Sequence, residues 1–444
     1  MPEIILNRKR KKRLEHGHPW VYKSEIAEVR GEPDAGAVVD VLNHGGHFLA
    51  RGFYNPKSQI AVRVLTYQQQ EITPEFFLTR VRQAWQYRQR LLPDLGACRA
   101  VYGEADLLPG VIVDKFGDVL VLQILSYGME QRKQWLVDAL QTVFQPRGIY
   151  ERNDVPVREL EGLPQQIGFL TEPFDPLVEI EENGLKLIVD IAGGQKTGYF
   201  FDQRENRAAI APLMTGWGKQ HGIELTPVNN NGEPIAAGEE PAVDEQGEPL
   251  TLPCDKRGKV VKNPFWDGAE VLECFAHTGA FTLNACKFGA KKVTCLDISE
   301  TAIEAAKRNV TINRFLHRVE FITANAFDYL RDSVHAGRSW DVVILDPPAF
   351  AKSRSALPGA LRGYKDINLQ GIKLVRDGGF LVTASCSYHL SKEQFLEVIR
   401  DAAADAKKIL RLVEFRSAGK DHPMLLAAEE SNYLKFAIFE VRNR

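Results

Sequence analysis

In Asp341-Val-Val-Ile-Leu-Asp346-Pro-Pro-Ala-Phe350, an apolar, β-favouring run ends abruptly at a carboxylate and two prolines. Further along, Phe380-Leu-Val-Thr-Ala-Ser-Cys386-Ser-Tyr388 ends in the same way at a thiol. Short continuous apolar runs are typical of strands that are buried on both faces of a parallel sheet. Because ligands bind at the carboxyl ends of such strands, Asp346 and Cys386 are predicted to face one site.

Around these two runs, strand and helix patterns alternate from about Leu185 to the end of the chain. Strands are predicted at 271–274, 292–298, 319–323, 341–345, 380–385, 411–415 and 434–441, and helices at 278–288, 300–313, 327–334, 362–375 and 392–407. This alternation predicts a parallel, doubly wound α/β sheet. The last two strands have no helix between them, so we expect them to pair as an antiparallel hairpin at one edge.

Two further domains are predicted before this one. Residues 1–70 contain short strands separated by glycines, which favours a small β-barrel. Residues 71–182 mix helix and strand patterns and predict a central α+β domain, with Thr73 and Pro74 as the cap and first turn of its first helix. Residues 183–444 form the sheet domain, interrupted at about 218–263 by a polar, acidic segment that we interpret as an inserted flexible loop.

Length and composition limit the class of protein. A chain of 444 residues predicts two or three domains, and its net charge of −2 excludes neither acidic nor basic partners. No apolar stretch reaches the roughly 18 residues that a membrane span needs, and the basic N-terminus lacks the apolar region of a secretory signal. The six cysteines show no metal-type spacing, which indicates free thiols, no metal site and a cytoplasmic location.

A dense cationic run lies near the N-terminus and comprises Arg8, Lys9, Arg10, Lys11, Lys12 and Arg13. Its mutual repulsion would be costly unless anions face it, and RNA phosphates are the natural partner. A solvated basic helix end is the alternative interpretation.

Polar residues follow three successive predicted strands of the sheet domain. The first strand leads into a turn with Gly279, whose helix would present free N–H groups to a carboxylate. The second strand ends at Asp297, and an acidic residue at this place commonly binds ribose hydroxyls. The third strand ends at Asn325, which could contact the edge of an adenine while Phe327 packs on the adenine ring. Helix capping explains each residue singly, but the ordered series favours a nucleoside site. Because no phosphate-binding glycine motif is present, S-adenosylmethionine is the best candidate.

The chemistry is predicted at Asp346 and Cys386. The two prolines after Asp346 give a rigid turn whose carbonyls can face a substrate, Asp346 can contact a base, and Phe350 can stack on it. A Cys386 thiolate could add to C6 of a pyrimidine and so make C5 nucleophilic enough to accept a methyl group. A buried apolar cysteine is the usual alternative, and it fits Cys274, Cys286 and Cys295 better than Cys386, whose neighbours are polar.

These residues together resemble the RNA cytosine-C5 methyltransferases of the large-subunit ribosomal RNA type, which carry an N-terminal PUA domain. The likeness covers nearly the whole chain. It is carried by GQKTGYFFDQRENR (194–207), ECFAHTGAF (273–281), LDIS (296–299), LDPPAF (345–350), ASCS (384–387), Asp421-His-Pro423, HPWVY (18–22) and GEADLLPG (103–110).

The resemblance implies a PUA module at 1–70, a Rossmann-like class I methyltransferase domain with a mostly parallel seven-stranded sheet and an antiparallel edge strand, and S-adenosylmethionine as methyl donor. It implies Cys386 as nucleophile and Asp346 at the target base. The implied cofactor residues are Phe275, Thr278, Gly279, Asp297, Ile298, Asn325, Ala326 and Asp346, with Gln195, Lys196, Thr197, Phe200, Gln203 and Arg204 from the loop before the first strand. The implied RNA contacts are the run 8–13, Pro347 and Phe350. RNA, as rRNA or a pre-ribosomal particle, is the expected partner, and a homodimer stays open.

Two other functions remain open at this point. Asp-Pro-Pro-Phe-like turns also serve enzymes that methylate an exocyclic base amine, and such chemistry needs no thiol. A degenerate methyltransferase fold could instead act as a non-catalytic, RNA-binding ribosome assembly factor, which would have lost cofactor binding. The Asp346 turn has no cysteine, so a second base must release the enzyme from a covalent adduct.

Overall fold

The computed structural model describes residues 1–215, 222–236, 238–244, 247–261, 267–351, 353–428 and 431–444. The chain forms two compact units, one made of residues 1–204 with 418–432 and the other of residues 205–417 with 433–444. Among the described residues, no helix is long and apolar enough to cross a membrane.

The first unit begins with a six-stranded β-sheet, as the glycine-separated strand patterns predict. Its strands, in the order β2-β6-β5-β4-β1-β3, are β1 (Glu3–Leu6), β2 (Trp20–Tyr22), β3 (Ile26–Arg30), β4 (Val38–Leu42), β5 (Phe48–Tyr54) and β6 (Ile60–Thr66). Apolar side chains that alternate along the strands, such as Ile4, Val39 and Val41, form its core.

An α+β region follows in the same unit. Its elements are α1 (Pro74–Leu91), β7 (Ala97–Tyr102), β8 (Val111–Phe116), β9 (Val119–Ile124), α2 (Tyr127–Glu130), α3 (Lys133–Phe144), β10 (Gly148–Asn153), α4 (Val157–Leu160), β11 (Gln166–Phe169), β12 (Leu177–Glu182) and β13 (Leu185–Asp190). The predicted cap of α1 is confirmed, because Thr73 accepts a hydrogen bond from the backbone N–H of Phe76. Strands β12 and β13 form a hairpin that spans the predicted domain boundary at 182/183.

The second unit contains a seven-stranded sheet flanked by helices. Its elements are α5 (Arg204–Ala209), which begins at the last residue of the first unit, α6 (Ala211–Met214), β14 (Glu224–Pro227), β15 (Thr251–Cys254), β16 (Glu270–Cys274), α7 (Ala280–Lys287), β17 (Lys292–Asp297), α8 (Glu300–Ile312), β18 (Val319–Thr323), α9 (Ala326–His335), β19 (Trp340–Leu345), α10 (Leu357–Leu374), β20 (Val375–Ser385), α11 (Lys392–Asp405), β21 (Lys408–Arg416) and β22 (Lys435–Asn443). The predicted order of strands and helices is confirmed.

The strand order in this sheet is β18-β17-β16-β19-β20-β22-β21, and the strands from β18 to β20 run parallel. The predicted hairpin of the last two strands is confirmed. The antiparallel strand is not the edge strand, however, because β22 lies between β20 and β21 and pairs with both. Burial explains the difference, since β22 is buried over most of its length whereas β21 is largely exposed or half-buried.

Helix starts depend on local capping chemistry. Ser299 caps α8 and Ser391 forms a capping box with Gln394 at the start of α11, so both helices begin close to where they are predicted. Helix α10 begins at Leu357, earlier than predicted, because Pro358 is well suited to the first turn of a helix.

The acidic segment predicted as an inserted flexible loop contains regular structure. Strands β14 and β15 pair antiparallel, with Glu224 opposite Cys254, and Val228 forms an isolated bridge with Pro234. The low apolar content of this segment predicts no strands, so these strands are a correction to the prediction. Residues 218–221, 237, 245–246 and 262–263 of the segment lie outside the described residues, and its flexibility stays a prediction.

Candidate active site

The carboxyl edge of the seven-stranded sheet gathers the polar residues that the sequence analysis singled out in this unit. The parallel register places Cys274 of β16 beside both Leu296 of β17 and Leu345 of β19. The order of the strands reverses at β16, and such a reversal opens a crevice at the carboxyl ends of an α/β sheet. The residues that follow these strands therefore lie along the edge where a ligand is expected, and their role in cofactor binding stays a prediction. They are Phe275, Thr278, Gly279, Asp297, Ile298, Asn325, Ala326 and Asp346.

The turn after β16 has an unusual backbone. Phe275, His277 and Gly279 all have positive φ, at 66°, 49° and 75°. A Cβ at position 279 would lie 2.9 Å from the Cβ of Ala306 in α8, so helix packing alone requires glycine there. The contact with Ala306 accounts for the glycine, and a role of Gly279 in cofactor binding stays a prediction. The turn presents a compact, strained backbone to the crevice.

The Asp297 carboxylate at the end of β17 is held by two backbone donors. One oxygen accepts from the N–H of His277 and the other from the N–H of Ser299, each at 2.9 Å. Each carboxylate oxygen can accept a further hydrogen bond, so Asp297 keeps capacity for a pair of hydroxyl groups. The neighbouring Ile298 is 69% exposed and offers an apolar surface beside it.

Asn325 after β18 caps helix α9, as the capping interpretation predicts. Its Oδ1 accepts a 2.9 Å hydrogen bond from the N–H of Phe327. The amide nitrogen has no hydrogen-bond partner among the described residues, so it can donate to a ligand. Capping and ligand binding are thus compatible at this position.

Glu273, the penultimate residue of β16, is a buried acid that the sequence analysis did not assign. Its carboxyl accepts hydrogen bonds from the N–H of Thr282, at 2.8 Å, and from the Thr282 hydroxyl. Burial raises the pKa of Glu273 to about 8, and the nearby charges of Asp346 and Asp297 add to the rise. A carboxyl with this raised pKa favours the protonated form at neutral pH. A glutamate inside an apolar run was the signal that could have identified it.

Cys386 differs from the other cysteines of the chain. It is partly exposed directly after β20, whereas Cys274, Cys286 and Cys295 are buried, as predicted. Burial raises the pKa of the Cys286 thiol to about 12 and also raises those of Cys274 and Cys295, so these three are unreactive.

The structure brings Cys386 together with the Asp346-Pro-Pro turn. The Cys386 thiol donates to the carbonyl oxygen of Pro347 at an Sγ–O distance of 3.8 Å. The next residue fastens the same turn, because the Ser387 hydroxyl accepts from the N–H of Ala351 at 3.1 Å and contacts the buried Tyr364 hydroxyl at 2.9 Å. A thiol, a carboxylate and a proline carbonyl therefore lie on two adjacent, mutually braced segments.

Phe350 at the end of this turn packs within the protein. Its ring centroid lies 4.7 Å from that of Tyr364 and 5.8 Å from that of Phe327. Phe350 is half-buried, and stacking on a substrate base stays a prediction for it. Tyr388, two residues after Cys386 in the chain, is 47% exposed.

The predicted cofactor residues from the loop 193–207 lie in the first unit up to Arg204. Thr197 is buried and donates to Asp114 at 2.6 Å, and the Lys196 ammonium lies 4.8 Å from the centroid of the Phe200 ring. In the described part of the chain, no group accepts a hydrogen bond from the buried guanidinium of Arg204, which lies 3.7 Å from a Glu182 carboxylate oxygen. Gln195 is exposed and Gln203 is buried. For all the predicted residues of this loop, a role in cofactor binding stays a prediction.

The N-terminal cationic run is irregular rather than helical. Arg10 forms a bidentate pair with Glu15, at 2.8 and 2.5 Å, and Arg13 lies over the Tyr22 ring at 5.3 Å. Arg8, Lys9, Lys11 and Lys12 have no carboxylate partner among the described residues. The run borders a cavity of about 570 Å³ that is lined by Lys9, Arg10, Lys11, Arg13, Tyr22, Ser24 and Glu25. Unpaired cations around an aromatic ring form a surface suited to a polyanion.

No group of three or more His, Cys, Asp or Glu side chains in the described parts of the chain could hold a metal ion.

Two family models match parts of the chain. Residues 4–67 match a PUA-like domain, and residues 260–372 match the family called conserved hypothetical protein 95. The first match falls within the predicted PUA module, and the second covers the strand ends from β16 to β19.

Curated relatives match nearly the whole chain. Ribosomal RNA large subunit methyltransferase I from Salmonella newport (strain SL254) is 38% identical over 440 residues, which cover 98% of this chain and 96% of that protein. The protein of the same name from Tolumonas auensis is 37% identical over 438 residues, 97% of each.

Solved structures share the fold. A putative SAM-dependent methyltransferase from Streptococcus mutans matches with a TM-score of 0.75 at 18% identity and covers 99% of this chain and 100% of that chain. A putative methyltransferase solved in complex with SAH matches with the same score, identity and coverage. The predicted fold class, a PUA-like β domain before a Rossmann-like domain, is confirmed.

Proposed function

Because the chain belongs to the ribosomal RNA large subunit methyltransferase I family, we propose that it methylates C5 of a cytosine in large-subunit ribosomal RNA through a covalent bond between Cys386 and C6 of the base. It is an S-adenosylmethionine-dependent RNA methyltransferase. The observation that carries the C5 proposal is the partly exposed Cys386 thiol, 3.8 Å from the Pro347 carbonyl at the carboxyl edge of the sheet. The free cysteines of the chain agree with a cytoplasmic location.

The side chains along the edge fit S-adenosylmethionine. The Asp297 carboxylate, oriented by two backbone N–H groups, can accept from the ribose hydroxyls. The unbonded amide nitrogen of Asn325 can donate to a ring nitrogen of adenine, and the exposed Ile298 can pack on the ring. S-Adenosylmethionine would supply an electrophilic methyl group. The chain would bind and orient it through these donors and acceptors.

The reaction at the pyrimidine depends on the thiol. Neutral C5 is a poor methyl acceptor, so the Cys386 thiolate adds to C6 and the C5=C6 electron pair moves to C5, which then takes the methyl group. A base removes the C5 proton, and the electrons of that bond restore C5=C6 and expel the thiolate. The bond to Cys386 therefore forms and breaks once in each turnover.

We propose that the Asp346-Pro347-Pro348 turn holds the target base. Pro347 is buried and braced against the Cys386 segment, so its position relative to the thiol is well defined. Asp346 is half-buried beside it and can accept from the exocyclic amine of cytosine, while Phe350 and the exposed Pro348 border the turn. Asp346 is also our candidate for the base that removes the C5 proton.

The identity of the product tests this function. Unmodified large-subunit rRNA is incubated with the protein and methyl-labelled S-adenosylmethionine, and the labelled nucleosides are resolved. We expect 5-methylcytidine. An N-methylated base would instead favour exocyclic amine chemistry at the Asp346 turn, and RNA binding without transfer would favour an assembly factor.

The cationic run at residues 8–13 is proposed as an RNA contact of the PUA-like domain. Replacing Lys11 and Lys12 with glutamine should weaken binding and reduce the slope of log K against log salt by about 1.4–1.8, because each lost phosphate contact removes roughly 0.7–0.9. Fluorescence anisotropy with an rRNA fragment at several salt concentrations measures the slope.

A matched control removes two cations that are already paired. Arg30 lies 2.9 Å from Glu28, and Arg147 lies 3.0 Å from Asp118. The double replacement of Arg30 and Arg147 by glutamine changes the net charge equally but should leave the slope near that of the unmodified protein. An equal loss of slope in both double variants would reject a specific contact by the run.

A further inference from the structure

Lys435 is a buried lysine beside the segment that carries Cys386. It is the first residue of β22, is only 4% exposed, and lies opposite Ser385 in the antiparallel register of β20 and β22. Among the described residues, no carboxylate pairs with it. Because burial of an unpaired charge is costly, a lysine here calls for an explanation.

The Lys435 ammonium is tied to the backbone on both sides. Its Nζ donates to the carbonyl oxygen of Ser387 at 2.6 Å and to that of Tyr433 at 2.7 Å. Ser387 directly follows Cys386, so the ammonium is anchored next to the thiol-bearing residue. A neutral amide could satisfy at least one of these carbonyls, and the hydrogen bonds alone therefore do not require a charge.

The charged groups around Lys435 indicate that its partner is an anion that is present only part of the time. Burial lowers the pKa of Lys435 to about 8, and the negative form of Cys386 opposes that decrease. Tyr364 of α10, whose pKa burial raises, and Asp346 after β19 are further titratable groups near Cys386, and Glu273 and Asp297 lie further along the same edge. Of these groups, the Cys386 thiolate is the one that acts on Lys435.

We propose that Lys435 is a positioning residue for Cys386. The Lys435 ammonium holds the Ser387 carbonyl and stabilises the Cys386 thiolate. The catalytic meaning of this inference rests on the proposed function. In that reaction the thiolate exists before addition to C6 and again after elimination, and a fixed positive charge beside it favours both states. Lys435 acts through Cys386 and is not itself a group that reacts.

The test measures the thiol directly. The rate at which iodoacetamide alkylates Cys386 is followed by peptide mass spectrometry between pH 6 and 10 in the unmodified protein and in Lys435→Gln, which keeps a donor but loses the charge. We expect the midpoint of the pH profile to rise by about one unit or more in Lys435→Gln, which lowers the thiolate fraction at pH 7 about tenfold. Lys435→Arg should keep the original midpoint.

Methyl transfer provides the second readout. Lys435→Gln should lower kcat with little change in KM for RNA. This loss of kcat should be smaller at pH 9, where the thiolate forms without a nearby positive charge. A role confined to packing would leave the alkylation midpoint unshifted in Lys435→Gln and the deficit independent of pH, and either result overturns the inference. Lys435→Met serves as a second charge-free variant if Lys435→Gln does not fold.

The two proposals fail in distinguishable ways. Methyl transfer that survives Cys386→Ala would overturn the proposed function and the catalytic meaning of Lys435. An unshifted alkylation midpoint in Lys435→Gln would overturn the coupling between Lys435 and Cys386 alone, because alkylation needs neither RNA nor S-adenosylmethionine.

Discussion

Replacing Cys386 with alanine is expected to lower the rate of methyl transfer to rRNA by at least about 10⁴-fold, because the loss of a nucleophile removes the covalent pathway altogether. Without addition at C6, the neutral C5 carbon has too little electron density to take the methyl group. Binding of RNA and S-adenosylmethionine should change little, since Cys386 only borders the crevice. Single-turnover transfer of labelled methyl groups measures the rate separately from binding.

Two further variants sharpen this prediction. Cys386→Ser keeps a similar size and should be nearly as inactive, because a serine hydroxyl ionises far less readily than a thiol. Cys286→Ala removes a thiol that is buried in α7 and should keep the activity, at a cost in stability of about 1 kcal/mol. Transfer that persists in Cys386→Ala would assign the chemistry to the Asp346 turn and make the thiol a bystander.

A trapped adduct would identify the bond itself. In RNA that carries 5-fluorocytidine, methyl transfer leaves fluorine in place of the C5 proton, so elimination cannot restore the double bond. We expect a complex between protein and RNA that survives denaturing electrophoresis and is absent with Cys386→Ala. A complex that forms equally well with Cys386→Ala would exclude this cysteine as its attachment point.

Much of the fold follows from patterns that are local in sequence. The apolar runs that end at Asp297, Asp346 and Cys386 predict buried parallel strands, and in a parallel sheet their carboxyl ends must meet at one edge. The polar neighbours of Cys386 likewise predict its partial exposure, whereas Cys274 lies within an apolar run and is buried. These features need only the composition of short segments, which the sequence displays directly.

Other features depend on neighbours that are distant in the chain. Lys435 falls within a predicted strand (434–441), but its place beside Cys386 depends on the pairing of β22 with β20, which no local pattern specifies. The position of β22 inside the sheet depends in the same way on which of two apolar strands buries more surface. Gly279 is a glycine because α8 packs on it, a contact that involves Ala306. Each of these contacts becomes visible only when the strands and helices have been assembled.

The second large effect concerns stability and pH at Glu273, which is 2% exposed. Its pKa rises from an ordinary 4.5 to about 8 in the folded protein because the carboxyl is buried. Between these two pH values the folded state keeps a proton that the unfolded state has released, so stability falls as the pH rises through this range. Glu273→Gln cannot ionise and should escape this loss while keeping an acceptor for Thr282.

We therefore expect Glu273→Gln and the unmodified protein to be similarly stable at pH 5, and the variant to be more stable at pH 8 by roughly 3–5 kcal/mol. Thermal unfolding of the two proteins at pH 5, 6, 7 and 8 measures the difference. Glu270 is the matched control, because it lies on the same strand but is partly exposed and paired with Arg376 at 2.5 Å. Glu270→Gln should gain no such advantage at high pH. The stability difference between Glu273→Gln and the unmodified protein could instead stay constant from pH 5 to pH 8. That result would mean that Glu273 is ionised in the folded state, with a negative charge directly behind the turn at Gly279.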